Sequence, residues 1–402
     1  ARIKWIDDFL GYGHEKVYVD SVFYVRTPED LLEFATAVNS GANGSEAYLT
    51  RDIDMAGYSD RFSPIGSGRH PFVGVFDGRG HSISNLRVSG KDTCGVFGAV
   101  SGRARIRDFV LDASCSISGG SYVGLVGASV EGGAVTIERV GNEAPVTGTG
   151  KNVAGIIGCN MNSACRYTIR DCYNTGIITG ARESAAISGW LGAGAEVAGC
   201  WNTGAVTGSD QGRDMARYSG QTDFPHCYST LGTQFVQVSP AAVASGELCY
   251  RLNEPKGANV LWYQKLGEDT HPVFGAERGR VVRNPDGTFA NEQVLLGDVQ
   301  QDDTLTLTDA DWEAEHIVWR TPDGFYLPNA DANSDGGVDV LDVVAIVHGT
   351  GGSSVKFETA ERANTRMYSS NASVKRAGTR KVNVWLASSQ HVTACQADLI
   401  LS

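Results

Sequence analysis

The sequence predicts a mainly β protein whose body is a right-handed parallel β-helix, with short helical caps and a small C-terminal segment. Three observations predict it. First, strand-like, Gly-closed tails recur at intervals of about 30 residues, the period of a solenoid coil. They are HSISNLRVSG (81–90), ARIRDFVLDASCSISG (104–119), VTIERVGNEAPVTG (135–148), YTIRDCYNTGIITG (167–180) and AEVAGCWNTGAVTG (195–208), with a worn copy, DFPHCYST, at 223–230. Second, each tail has a Gly-rich apolar lead-in, among them TCGVFGA (93–99), YVGLVGA (122–128) and VAGIIGC (153–159). Third, 50 glycines against 11 prolines suit a chain with many tight corners. One coil cannot bury its own apolar face, so successive coils must stack.

In chain order, residues 1–26 are a strand-rich segment in which KVYVDSVFYV (16–25) alternates and is expected to close a preceding domain. The β-helix with its caps is assigned to 27–275. Thr27 caps a helix with Pro28 in its first turn and Leu31, Leu32, Phe34, Ala35 and Val38 on its apolar face; it is expected to cover the first coil. At the other end, 239–253 is predicted as a helix and WYQKLGED (262–269) as a strand, together blunting the open edge. Residues 276–330 are a mixed segment with a hairpin signal, VVRNPDGTFAN. A calcium loop and helix follow at 331–352, and 353–402 reads as the start of a β-sandwich.

The net charge of −12 argues against nucleic acid or an anionic membrane as the main partner. There is no apolar run of 18 residues, so no transmembrane helix is expected. The chain opens at Ala1 as a mature or trimmed protein would. None of the nine cysteines forms a CxxC or a zinc-type pattern. Cys172, Cys200 and Cys227 share one repeat position with Phe109, Val140 and Leu86, as buried small hydrophobes would. Cys159 and Cys165 flank one turn, where a local disulfide is one option.

In a β-helix, equivalent residues of adjacent coils lie about 4.8 Å apart, so columns of sequence become ladders. Asn142, Asn174 and Asn202 are expected to stack their amides. Asn85, Asp108, Arg139, Asp171 and Gly199 form one charged column and Arg107, Glu138 and Arg170 its neighbour, read as ion pairs that pin register. The catalytic alternative pairs Asp108 with Asp171, two rungs or about 9–10 Å apart, a spacing open to inverting glycoside chemistry. Arg139 between them would depress both carboxyls, when one must stay protonated. Tyr173, Trp201 and Tyr228 follow the Cys column and should point outward, either as a strip for ligand binding or as packing against 276–330. Gly90, Gly119, Gly148, Gly180 and Gly208 are corners.

DANSDGGVDVLD (331–342) has the spacing of a calcium loop. Asp331, Asn333 and Asp335 stand at positions 1, 3 and 5, Gly336 at the turn, the Gly337 carbonyl at 7, Asp339 at 9 and Asp342 at 12. Hard oxygen donors so spaced wrap one Ca²⁺.

The stretch FDGRGHSISNL (76–86) resembles the opening coil of pectate-lyase-type β-helices. The G-[VLI]-[FVI]-G lead-ins, with C-[YW]-N-T-G in two coils, resemble the GLUG repeat of secreted and surface proteins, notably of gut Bacteroidetes, some of them called immunoglobulin-A-type proteases. This resemblance covers about 27–275 and implies a scaffold more than a catalyst. Asp at position 12 makes 331–342 similar to a dockerin loop. Dockerins carry two loops; 356–374 offers no second, so only half the module is recognisable. VNVWLASSQHVTACQADLIL faintly resembles the first strands of a cohesin-like sandwich, which implies a docking partner in cis or in trans. Together these readings imply an extracellular or cell-surface, non-enzymatic protein that binds a glycan or glycoprotein. The alternative is a carbohydrate-active β-helix enzyme, a polysaccharide lyase or glycoside hydrolase.

Overall fold

The computed structural model describes residues 19–350, apart from 209–211, 220–222, 293–294, 303 and 334–336. It also describes the backbone of two short antiparallel pairs near the ends, 4–5 with 16–17 and 366–369 with 384–387. The remainder of the sandwich-like stretch 353–402 lies outside the described residues. The chain divides into two compact units at 292/293.

The first unit is a parallel β-helix. One continuous parallel ladder runs from Val22–Val25 to Val236–Gln237. Val22–Val25 pairs in parallel with Glu46–Leu49, so the strand expected to close another domain is instead the first rung. The core is a file of inward side chains. Phe76 meets Phe97 and Phe109 edge-on, each at 5.2 Å between ring centroids. Helix α1 (Pro28–Asn39) closes this end. The Thr27 hydroxyl accepts from the Asp30 N–H at 3.3 Å and the Asp30 carboxylate accepts from the Thr27 N–H at 3.0 Å, a reciprocal capping box. Its buried Phe34 packs on Phe23, Phe72 and Phe76.

At the far end the expected single helix is two, α2 (Pro240–Ala244) and α3 (Glu247–Asn253), broken where Gly246 takes φ +88°. The expected strand at 262–269 is not one: only Tyr263 bridges, to Val273. The segment is held instead by Asn253, whose amide donates to the Trp262 carbonyl at 2.7 Å and accepts from the Trp262 N–H at 3.0 Å. The predicted hairpin forms between 281–283 and 289–291 and falls within the first unit. All eight described cysteines are buried free thiols, Cys159 and Cys165 included, so no disulfide joins that pair. Burial pushes the Cys159 thiol up to about 12.

The pentad C-[YW]-N-T-G shows what each column does. Cys172, Cys200 and Cys227 face the interior. The next residue, Tyr173, Trp201 or Tyr228, faces the other way. Then the amides stack. Asn142 donates to the Asn174 carbonyl oxygen at 2.8 Å, and Asn174 donates to that of Asn202 at 2.8 Å. Each also donates to the backbone oxygen two residues on, at 2.9 Å from Asn142 and from Asn174 and 3.0 Å from Asn202. The fourth residue turns outward. The fifth must be Gly because a Cβ on Gly176 or Gly204 would strike the carbonyl of the preceding coil. The register corrects one alignment: His81, not Leu86, pairs with Phe109, and Asn85 lies further on, its N–H donating to the Ser114 hydroxyl oxygen at 2.7 Å.

Asn174→Ala deletes both internal rungs of the amide ladder and should cost about 2–4 kcal/mol, because it strands buried donors and acceptors on Asn142 and Asn202. Urea unfolding checks this; a loss below about 0.5 kcal/mol would show that the amides are replaceable filler.

Candidate functional site

The aromatic column is in register, Tyr173 beside Trp201 and Trp201 beside Tyr228, but it is not a free strip. Relative exposures are 1%, 0% and 6%. Tyr173 and Trp201 stack at 4.7 Å with their planes 2° apart, and Trp262, His271 and Phe274 pack over them. The expectation of exposed ligand-binding rings is therefore corrected. The chain after the last coil covers them, mostly with 238–274 and only marginally with the 276–330 segment, through Val281 and Phe289.

Beside this seam the cap and the coils leave a groove of about 530 Å³. Its floor is the fourth column of the pentad, where Glu143 is followed on successive coils by Thr175, Thr203 and Thr230; His271 stands in the wall. The three hydroxyls make no hydrogen bond among the described residues. Glu143 is held at the end of the row: its carboxylate accepts from the Tyr173 hydroxyl at 2.8 Å and lies 3.9 Å from Nε2 of His271. The other ring nitrogen, Nδ1, is 3.0 Å from the Pro272 carbonyl, an acceptor that fixes the orientation of the ring. The groove thus offers a carboxylate, an imidazole nitrogen and a row of hydroxyls. Sequence columns contained this row, but nothing in the repeat signalled the wall.

The charged column sits on a left-handed corner. Asp108, Arg139, Asp171 and Gly199 have φ of +58°, +51°, +54° and +65°, which explains why glycine can replace a charge there. Arg139 grips Asp108 with two hydrogen bonds, at 2.5 and 2.9 Å, and this pairing raises the guanidinium further above its ordinary range. Asp171 is not part of that pair. It takes the Lys256 ammonium at 2.6 Å, a partner 85 residues away in the cap. Burial raises its carboxyl while Lys256 opposes the rise. Both acids are committed to cations, so the arrangement locks coils and cap together and leaves no free acid–base pair. Arg107 likewise pairs with Asp77 at 3.0 Å, and Arg170 with Glu196 at 2.9 Å.

In the second unit the calcium-type loop precedes α5 (Val340–Gly349). Asp342 is fully buried; its carboxylate accepts from the Asn333 N–H at 3.0 Å and the Asp339 N–H at 2.8 Å. Asp331, Gly337 and Asp339 are described, whereas Asp335 lies outside the described residues. The loop has a counterpart upstream, at a constant offset of 33 residues from 298–309 to 331–342. Asp309, also fully buried, accepts from the Gln300 N–H at 3.2 Å and the Thr306 N–H at 2.8 Å, and α4 (Leu307–Ile317) begins where α5 does. The unit is therefore a duplication, and the reading of a lone half-module is corrected: the second copy precedes the first rather than following it. Its signal was present in T-L-T-D, a capping box at the same offset as D-V-L-D.

Sequence reasoning missed Glu313 altogether. It is fully buried on α4, and neither carboxylate oxygen has a hydrogen-bond partner. Burial, followed by the charges of Asp342, Asp331, Asp339 and Asp309, pushes its carboxyl up to about 8. No three His, Cys, Asp or Glu side chains among the described residues already meet at a metal-binding point. An orphaned carboxylate amid aspartates nevertheless fits a hard cation, whose charge would compensate all of them.

No family model matches the chain. A curated relative, halomucin of the archaeon Haloquadratum walsbyi, is 34% identical over 143 residues. That match covers 32% of this chain and 2% of the relative, so the chain spans a very small part of its length. A solved structure from Bacteroides ovatus, provisionally named an immunoglobulin A1 protease, is 18% identical with a TM-score of 0.42, covering 62% of this chain and 91% of that one. Among the described residues no helix is long and apolar enough to cross a membrane, which says nothing of β-barrels.

Two measurements follow from these placements. Trp201→Ala empties a buried site under the cap and should cost about 3–5 kcal/mol in denaturant unfolding; a variant of unchanged stability would return the column to the surface. In metal-free buffer, stability should fall as pH rises from about 4.5 to about 8. Over that window folded Glu313 keeps a proton that the unfolded chain has lost, with a slope of at most roughly 1.4 kcal/mol per pH unit. Glu313→Gln should flatten that slope, and an equal slope in both proteins would assign it elsewhere.

Proposed function

We propose that this chain belongs to an extracellular or cell-surface protein whose β-helix is a non-catalytic platform for a glycan or glycoprotein. The observation that carries this reading is the groove between coils and cap. Its volume lies in the ~300–1,000 Å³ range of small-molecule sites, enough for a mono- or disaccharide. A floor of three unpaired threonine hydroxyls at coil spacing, ending in Glu143 and facing His271, matches the alternating donors and acceptors of a sugar ring. The aromatic column serves by being buried, since it fixes the wall against which the row is set. The likeness of part of the chain to halomucin supports a surface setting. The full pairing of Asp108 and Asp171 weighs against the lyase or hydrolase alternative.

The second unit is read as a calcium-binding, dockerin-like module. Asp331, Asn333, Asp335, Asp339, Asp342 and the Gly337 carbonyl would supply the oxygens around Ca²⁺, and the ion would supply the positive charge these acids lack.

Affinity electrophoresis through gels cast with host and plant polysaccharides tests the platform. Retarded migration in at least one gel, weakened tenfold or more by Thr203→Val or Glu143→Gln, is expected. Free migration in every gel would contradict glycan binding, and a cleared track would replace it with an enzyme.

A further inference from the structure

We propose that the groove between coils and cap takes an uncharged sugar and rejects sugars that carry a carboxylate or sulfate, with Glu143 setting that preference. This rests on the reading of the groove as a glycan site and names the class of glycan it admits.

The fixed charge in the groove has one sign. Glu143 closes the threonine row, its side chain 22% exposed, and His271 stands by it at 17%. Oε1 of Glu143 is occupied by the Tyr173 hydroxyl at 2.8 Å. Burial, then the charge of Glu143 with Asp112 behind it, holds that hydroxyl far above its ordinary range, so it stays a donor. Oε2 makes no hydrogen bond among the described residues and is left to accept. Pro240 and Val243 of α2 make the lining apolar on the cap side. Among the described residues no Lys or Arg lines the groove. Lys256 and Arg251 of the cap do reach the coils, but both are committed. Lys256 pairs with Asp171 at 2.6 Å, and Arg251 lies over the Tyr228 ring, paired with Glu247 at 3.4 Å.

A sugar hydroxyl entering this groove can donate to Oε2 of Glu143 and exchange hydrogen bonds with Thr175, Thr203 and Thr230, since each hydroxyl both donates and accepts. A ligand carboxylate finds no such match. It only accepts, it meets no cation, and within about 530 Å³ it cannot sit far from Glu143. Burying a charge without a partner is strongly unfavourable, and a like charge close by adds to the cost. The groove therefore discriminates by rejection, through a repulsive group at the end of a row of neutral donors and acceptors. The net charge of −12 also repels anions, but from outside, where salt screens it; a half-buried Glu143 is screened much less.

The test takes the neutral members of the host and plant polysaccharide panel, among them galactomannan, β-glucan and glycogen. Each is compared in affinity gels with the same polysaccharide oxidised at its primary hydroxyls to carboxylates. Gels are run at about pH 8, where an imidazole is ordinarily neutral, in low salt and at about 1 M salt, where exposed charges are screened beyond roughly 3 Å. A neutral polysaccharide that retards the chain should do so tenfold or more better than its oxidised form, in both salts. Glu143→Gln should shrink that ratio about threefold or more, whereas Thr203→Val, which weakens binding without changing charge, should leave it alone. If the Gln variant binds too weakly to measure, the wild-type ratio at high salt decides. Equal retardation by both forms, retardation by oxidised forms alone, a ratio that vanishes at high salt, or one untouched by Glu143→Gln would each overturn the proposal while leaving the groove a glycan site. Free migration of the wild-type chain in every gel, neutral and oxidised, would overturn both.

Discussion

Every position in this β-helix has its own equivalent as its nearest neighbour, one strand spacing away. That constraint organises the first unit. A residue is acceptable only if a column of it can stack, hydrogen-bond or alternate in charge. Asn meets the demand at the inner corner because an amide both donates and accepts along the axis, as Asn142, Asn174 and Asn202 do. Gly meets it where the backbone of the preceding coil comes too close for a Cβ. Asp108 and Arg139 meet it by opposite charge.

The same constraint explains what could be read from the sequence. Repetition set the register of the coils from 104 to 230, though not that of the coil at 76–90, and with it the inward Cys column, the amide ladder and the direction of the aromatics. It carried no information on what covers the outward face, because the cover occurs once. Tyr173, Trp201 and Tyr228 point away from the core as their alternation with cysteine implies, and are then sealed by Trp262 and Phe274, which belong to no repeat. Lys256 is another example. The partner of Asp171 comes from the cap, so no column pointed to it. The groove follows from both parts, with a repetitive floor and a wall that is not.

In the second unit the legible element was the loop with the full set of oxygen-bearing side chains. Its twin was harder to see because Gln300 and Thr306 replace Asn333 and Asp339, although aspartates recur at positions 1, 5 and 12 as Asp298, Asp302 and Asp309. Glu313 could not be recognised from spacing at all. It lies on a helix within a segment that showed only a hairpin signal, and its burial follows from the packing of that helix.

The cap is a permanent part of the β-helix rather than a loosely laid cover, since it buries the aromatic column and holds Asp171 through Lys256. Hydrogen–deuterium exchange resolved along the chain measures this directly. Amides of 248–264 should be protected to within about tenfold of those in the coils at 135–148 and 167–180, opening only with the whole body. Exchange in 248–264 several orders of magnitude faster, with the coils still protected, would mean that the aromatic column is regularly uncovered. The burial that defines the groove would then not hold.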